Sequence, residues 1–289
     1  MRTPGTRIVL VSERAGGPRV GSAAHPQLRG LLARDYAGFT EPAAPPHDLV
    51  SPATAAVGIV LKLHDSDWHP SELLIGARDF CIAHPIPVGA SAHPNMQQWL
   101  TPLGAYRLLG GLPMDALSGQ IVDLTDVLGA GIRHLADRLR ETPSERQQFA
   151  LLDAYLLQWT QDGPEPAPEV TWAWRRLMTT GGNIPIHRLA DEVGWSHKHL
   201  ISRFRQQVGL PPKTAARLVR FDAVWRRLAN HPPGRWDELA VESGYADQAH
   251  LIRDFRQFTG ASPTEFPSHP QAGATRKTWG ARRCRTDAG

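Results

Sequence analysis

Cysteine is scarce: Cys81 and Cys284 are the only two in 289 residues. They are too few for a disulfide framework, and neither has a second cysteine at metal-ligand spacing, which argues against a structural zinc site. Long hydrophobic runs are missing as well. The longest apolar stretches, such as residues 57–61, fall far short of the roughly 20 residues that cross a bilayer, so no membrane span is expected. The start of the chain lacks a secretory apolar segment, since residues 8–11 are followed at once by charge; a cytoplasmic location is the expectation. No Gly-rich phosphate loop, nucleophile elbow or paired-cysteine motif is found. What is present, 41% apolar and 21% charged side chains, excludes a wholly disordered or fibrous chain. The length suggests two domains, each able to bury its own core.

Net charge is only +4, but it is unevenly placed. Residues 1–164 hold 13 Lys and Arg against 16 Asp and Glu, and residues 165–289 hold 19 against 12, so the two parts carry −3 and +7. A basic second part fits a polyanionic partner, and from charge alone it fits a plain solvated surface equally well.

Residues 161–169 place three prolines within five positions, which blocks helix propagation and predicts an inter-domain linker. Upstream, residues 42–52 and 84–94 read as Pro-rich loops separating strand-like runs at 55–63, 73–77, 97–100 and 105–109. Beyond Pro113 the spacing becomes helical, with Val127, Ile132, Leu135 and Leu139, then Phe149, Leu152, Tyr155 and Leu156. The expected organisation is an α+β protein: a β-rich domain over 1–160 closed by two helices, the linker 161–169, an all-helical domain over 170–266, and a basic tail over 267–289. The tail carries Arg276, Lys277, Arg282, Arg283 and Arg285 with almost nothing to bury, and disorder is expected there.

The helical domain contains a repeat. Ala190, Gly194 and Trp195 align with Ala240, Gly244 and Tyr245 at an offset of 50 residues. After one extra residue, Leu200, Phe204, Arg205, Gly209 and Pro212 align with Leu251, Phe255, Arg256, Gly260 and Pro263 at an offset of 51. Each copy has the grammar of a helix-turn-helix: a short helix with a small alanine at the crossing, a glycine suited to left-handed backbone, an N-cap (Ser196 or Asp247), and a second amphipathic helix. Trp195 and Tyr245 are expected to be core aromatics beneath the turns. Between the copies, residues 213–229 form an unbroken helical stretch of roughly 25 Å, a rod able to hold two second helices near successive major-groove turns. Facing away from Leu200 and Phe204 are His197, Lys198, Ile201, Ser202 and Arg205. A helical bundle with ordinary glycine caps is the bland alternative, and duplication at this spacing on a basic domain weighs against it.

These residues resemble the AraC/XylS family of transcription regulators, whose DNA-binding domain is a seven-helix unit with two helix-turn-helix motifs joined by a long helix. The match covers residues 170–266, and the run Gly244-Tyr245-Ala246-Asp247-Gln248-Ala249-His250-Leu251 with Thr259-Gly260-Ala261-Ser262-Pro263 is its most specific part. The resemblance implies that Lys198, Ile201 and Ser202 face bases in the first recognition helix, with His197 and Arg205 nearer the phosphates. In the second helix it implies Gln248, Ala249, Ile252 and Arg253 at bases and His250 and Arg256 at phosphates. Arg253 can pair bidentately with guanine and Gln248 with adenine. The segment Gly104-Ala105-Tyr106-Arg107-Leu108-Leu109-Gly110 with Val122-Asp123-Leu124 is similar to a cupin-like N-terminal domain found ahead of such units. In the family such domains sense a small molecule or dimerise through helices after the barrel, here residues 127–159. The implied partners are double-stranded DNA, RNA polymerase, a small-molecule effector and a second copy of the chain, with no cofactor and no membrane.

Two other readings stay open. Cupin-like barrels bind metals through histidine and carboxylate, and His64-Asp65-Ser66-Asp67-Trp68-His69 could suggest a metal-dependent enzyme. On one strand, however, an odd separation sends His64 and His69 to opposite faces, which favours a polar loop. The other reading is a ligand sensor whose helical part binds protein instead of DNA.

Overall fold

The structure is a computed structural model describing residues 7–10, 21–34, 36–41, 47–63, 72–86, 93–230, 235–263 and 285–286. Strands dominate the first hundred residues: β1 (Arg7–Leu10), β2 (Gly21–Ser22), β3 (Tyr36–Glu41), β4 (His47–Ser51), β5 (Val57–Lys62), β6 (Glu72–Ile75), β7 (Ile82–Ile86), β8 (His93–Leu100) and then β9 (Ile121–Asp123). A six-stranded antiparallel sheet runs in the order β2-β3-β8-β5-β6-β9. Alternation along the strands sets its buried face: Val57, Ile59 and Leu61 of β5 meet Leu74 of β6 and Met96 and Leu100 of β8 in one core, as side chains two apart on a strand point the same way. Gly58 pairs with Trp99 across the ladder, and a Cβ there would stand 3.0 Å from the indole. Glycine is what lets that ring lie across β5.

A second sheet joins β1, β4 and β7, antiparallel between β4 and β7 and parallel between β1 and β4. The Pro-rich stretches read as loops thus carry β4 and β7. Pro85 pairs with Asp48 of β4, and on the other side of β7 Ile82 and Ala83 pair in parallel with β10 (Arg285–Thr286). That short strand falls within the tail expected to be disordered. Residues 264–284 and 287–289 of that end lie outside the described residues, as do residues 64–71, which include His64 and His69.

One predicted strand is a helix. Residues 105–109 fall largely within α1 (Pro102–Leu108), because Thr101 accepts a hydrogen bond from Gly104 N at 3.0 Å and Pro102 occupies the first turn. A capping hydroxyl followed by proline at the first helical position starts a helix, and this outweighed the local apolar pattern. The domain then closes with α2 (Leu124–Leu128), α3 (Gly131–Glu141) and α4 (Glu145–Asp162). Ile132, Leu135 and Leu139 of α3 and Phe149, Leu152 and Leu156 of α4 pack on the sheet's core, which gives the long helical pair its three-to-four spacing. Asp153 fixes α4 to the sheet, accepting from the Tyr36 hydroxyl at 2.5 Å and from His25 N at 3.0 Å. The Tyr36 ring stacks on Phe149 at 5.5 Å.

Between Gly163 and Pro263 the described elements are helices: α5 (Pro168–Thr179), α6 (Ile186–Glu192), α7 (His197–Val208), α8 (Pro212–Asn230), α9 (Trp236–Glu242) and α10 (Gln248–Thr259). A seventh helix, as the resemblance implies, would fall beyond Pro263 and outside the described residues. Two apolar clusters organise this half. Val170, Leu177, Leu189, Leu200, Phe204 and Val208 bury one core, which Leu103 of α1 joins. Leu218, Phe221, Leu239, Leu251, Phe255 and Phe258 form the other, continuous with the core of the N-terminal sheet. The two halves therefore share their packing, and no helix among the described residues is long and apolar enough to cross a membrane.

Candidate nucleic-acid interface

The two helix-turn-helix units are built alike to the level of single hydrogen bonds. In the first turn Gly194 N donates to Asp191 O at 3.2 Å and Trp195 N to Ala190 O at 3.0 Å. In the second, Gly244 N donates to Val241 O at 3.0 Å and Tyr245 N to Ala240 O at 2.9 Å. Both glycines hold left-handed backbone, φ +69° and +76°. That pattern ends one helix and reverses the chain within a few residues. Ser196 Oγ then accepts from His199 N at 3.2 Å, and Asp247 Oδ1 from His250 N at 2.6 Å, each capping the second helix. Ala190 and Ala240 are buried at the crossings, and Leu200, Phe204, Leu251 and Phe255 form the inward stripes. The symmetry extends to the far ends, where Gly209 and Gly260 close α7 and α10 in left-handed conformation.

With the stripes buried, the other faces of α7 and α10 are open. His197, Lys198, Ser202 and Arg205 are exposed and Ile201 is half-buried on α7. On α10, Gln248, Ala249, Arg253 and Arg256 are exposed, while Ile252 and His250 are half-buried. Lys198, Ser202 and Arg205 share one helical face, as do Ala249, Arg253 and Arg256, by their spacing of four and three residues. The α7 N-terminus, capped by the neutral Ser196 and with no carboxylate in its first turn, adds the positive end of its dipole to the cationic side chains, whereas the Asp247 carboxylate offsets that end on α10. Trp195 is half-buried and Tyr245 fully buried under the turns. His199, which the sequence reading left out, sits edge-on to Trp195 at 4.5 Å as His250 does to Tyr245 at 5.2 Å. The 51-residue offset that pairs Leu200 with Leu251 also pairs these histidines.

The second unit is braced by a buried acid. Asp254, on the inner side of α10, accepts from Arg217 of α8 at 2.7 and 3.1 Å, and the guanidinium also covers Phe258 at 5.0 Å. Burial, with the Asp254 carboxylate adding to it, raises the Tyr245 hydroxyl above its ordinary range. The opposite ends of the recognition helices dock on the N-terminal half. Arg205 pairs with Asp115 at 3.3 Å, in the 3-10 turn Met114–Ala116. Phe258 O accepts from Ala53 N at 2.8 Å, and Gln257 Nε2 donates to Asp79 O at 3.0 Å. Two residues beyond Asp79, Cys81 is buried and disulfide-bonded. Among the described residues no group of three or more His, Cys, Asp or Glu is placed to hold a metal ion.

Two helix-turn-helix units with glycine turns and capped second helices, joined by α8, define a double helix-turn-helix domain. Residues 189–268 match the family model described as a helix-turn-helix domain, of the AraC type. The HTH-type transcriptional regulator YbfI of Bacillus subtilis is 28% identical over 89 residues, 30% of this chain and 32% of its own. The match thus spans about a third of that relative's length. Among solved structures, the C-terminal domain of AraT, a response regulator from Geobacillus stearothermophilus, is similar with 18% identity and a TM-score of 0.33, covering 35% of this chain and 85% of AraT's. ToxT from Vibrio cholerae is similar with 9% identity and a TM-score of 0.41, covering 80% of this chain and 95% of its own.

Proposed function

We propose that the chain is a sequence-specific transcription regulator that binds double-stranded DNA, with α7 and α10 entering adjacent segments of the major groove. The observation that carries this reading is the duplicated turn: two recognition helices with the same cap, the same glycine bonds and outward-facing polar first turns, on a part of the chain with a charge of +7. Lys198, Ile201, Ser202, Gln248, Ala249, Ile252 and Arg253 read base edges. His197, Arg205, His250 and Arg256 hold phosphates and fix the register. The connecting helix α8, 19 residues long and so about 28 Å, spans nearly the distance between successive turns of the groove.

The N-terminal half, read as cupin-like, modulates that grip through a small-molecule effector or a second copy. Its support is the docking of both recognition helices on it, including a carboxylate on Arg205. The test is selection from a random duplex library with the full chain, followed by titration of the enriched duplex at several salt concentrations. Affinity falls steeply with salt, and Arg253→Ala weakens binding by about 1–3 kcal/mol while relaxing one base position. Recovery of no enriched motif by the wild-type protein overturns the reading.

A further inference from the structure

The two recognition helices are joined covalently by α8, yet a rod fixes separation far better than it fixes rotation about its own axis. A second connection supplies what the rod lacks. Arg220, midway along α8, donates from Nη1 to Gly182 O at 2.6 Å, and Gly182 belongs to the turn that leaves α5 in the first unit. The same guanidinium lies 5.6 Å from the centre of the Tyr245 ring. Tyr245 closes the turn of the second unit and is edge-on to His250, in the first turn of α10. The path from the first unit to the second reading helix therefore runs through three contacts and two side chains, Arg220 and Tyr245.

Its anchor is rigid. Gly182 has φ +75° and rests against α8 so closely that a Cβ would collide with the Ala216 carbonyl, so its own carbonyl has little freedom to swing. Beside it, the exposed Asn183 lays its amide directly against Gly244, where a Cβ would again collide. The turn at 181–183 thus touches both residues that form the second unit's turn, one directly and one through Arg220. A guanidinium suits this role because it donates in its plane while its face covers a ring; an ammonium is a point charge and cannot reproduce both contacts in that geometry.

Building on the DNA-binding reading above, we infer that Arg220 and Asn183 are positioning residues that lock the rotation of α10 relative to α7, and so set the spacing between the two half-elements that one chain recognises. Neither contacts a base in this account. The lock acts on the pair of readers and leaves each reader intact.

The experiment uses full-length wild type, Arg220→Ala, Arg220→Lys and Asn183→Ala, each checked by circular dichroism. A random-sequence duplex library is enriched with the wild type. The selected site is then rebuilt with base pairs inserted or removed between its two halves, and with either half scrambled. Wild type is expected to show one sharp spacing optimum. Both Arg220 variants should bind a single half-element within about twofold of wild type, lose about tenfold on the selected spacing, and spread their preference to neighbouring spacings. Asn183→Ala should shift the same way by a smaller factor. Arg220→Lys keeps the charge, so a loss in that variant separates positioning from simple phosphate attraction. Spacing profiles that superimpose on wild type, or an equal loss on one and two half-elements, overturn the inference. If Arg220→Ala does not fold, Arg220→Lys and the exposed Asn183→Ala decide the matter. A wild type that enriches nothing sinks the DNA-binding reading itself; a two-part motif with unaltered spacing in every variant sinks only the lock.

Discussion

Gly194, Gly244 and Gly182 hold almost the same backbone, φ +69°, +76° and +75°, in three different surroundings, and alanine at each should therefore cost a different amount. The left-handed conformation alone costs an L-residue about 1–2 kcal/mol. At Gly194 a Cβ meets nothing within 4 Å, so Gly194→Ala should cost that amount and no more. At Gly244 the new methyl strikes the Asn183 amide, the end of an exposed side chain that can turn aside. The expected total there is about 2–3 kcal/mol, the strain plus a modest repacking term. At Gly182 the obstacle is the Ala216 carbonyl, part of the α8 backbone, which cannot move without shifting the connecting helix. Gly182→Ala should cost about 3 kcal/mol or more. The assay is urea denaturation of the full chain, followed by tryptophan fluorescence and far-ultraviolet circular dichroism, with midpoints compared at constant slope. Gly194→Ala should also keep the spacing preference of the wild type, whereas Gly244→Ala should blur it. Equal midpoints for Gly194→Ala and Gly182→Ala, or Gly244→Ala the least destabilised of the three, would refute the reasoning.

Other perturbations separate the remaining contacts. Arg205 and Asp115 are both partly exposed, so their pair contributes only about 0.2–1 kcal/mol to docking; Asp115→Asn should tighten DNA binding by about twofold to fivefold at low salt, and unchanged or weaker binding would contradict a carboxylate competing with phosphate for Arg205. Removing the buried acid is another matter: Asp254→Ala takes the buried carboxylate from Arg217, which keeps its bond to Gln257, and should cost about 1.5–3 kcal/mol in a denaturation experiment; no loss would exclude the brace. Burial, reinforced by hydrogen bonding to Asp153 and by its charge, pushes the Tyr36 hydroxyl well above the ordinary phenol range. The folded state therefore holds the neutral form, and its contribution is complete below the unfolded value of about 10 and is lost as pH rises beyond it. Tyr36→Phe should lower stability near neutral pH by about 1–3 kcal/mol while flattening the alkaline limb of the pH-stability curve; an unchanged alkaline limb would count against the assignment.

The helical half was legible because its signals are local. Gly194 and Gly244 announce the turns, Ser196 and Asp247 cap the helices that follow, and the Leu200–Phe204 and Leu251–Phe255 pairs mark the buried stripes at helical spacing. Each of those signals lies within a few residues of the structure it dictates. The N-terminal half depends on pairings between distant segments, and there the reading slipped. Residues 105–109 have the composition of a strand, and only the Thr101-Pro102 start, a few residues earlier, reveals a helix. The prolines around β4 and β7 suggested loops because a proline inside a strand cannot be told from one in a turn without knowing the partner strand. At the interface the limit was similar. The exposure of Lys198, Ser202, Gln248 and Arg253 follows from the stripes opposite them, but nothing near Arg205 in the chain points to Asp115, and nothing near Arg220 points to Gly182 or Tyr245.

The central claim is that two equivalent helices of one chain occupy neighbouring stretches of the major groove. Methylation interference on the selected duplex tests it most directly, since the N7 of guanine lies in that groove. Two separate clusters of interference are expected on one face of the duplex, about one helical turn apart, with Arg253→Ala erasing signal in one cluster only. A single cluster, or interference scattered evenly along the duplex, would contradict it.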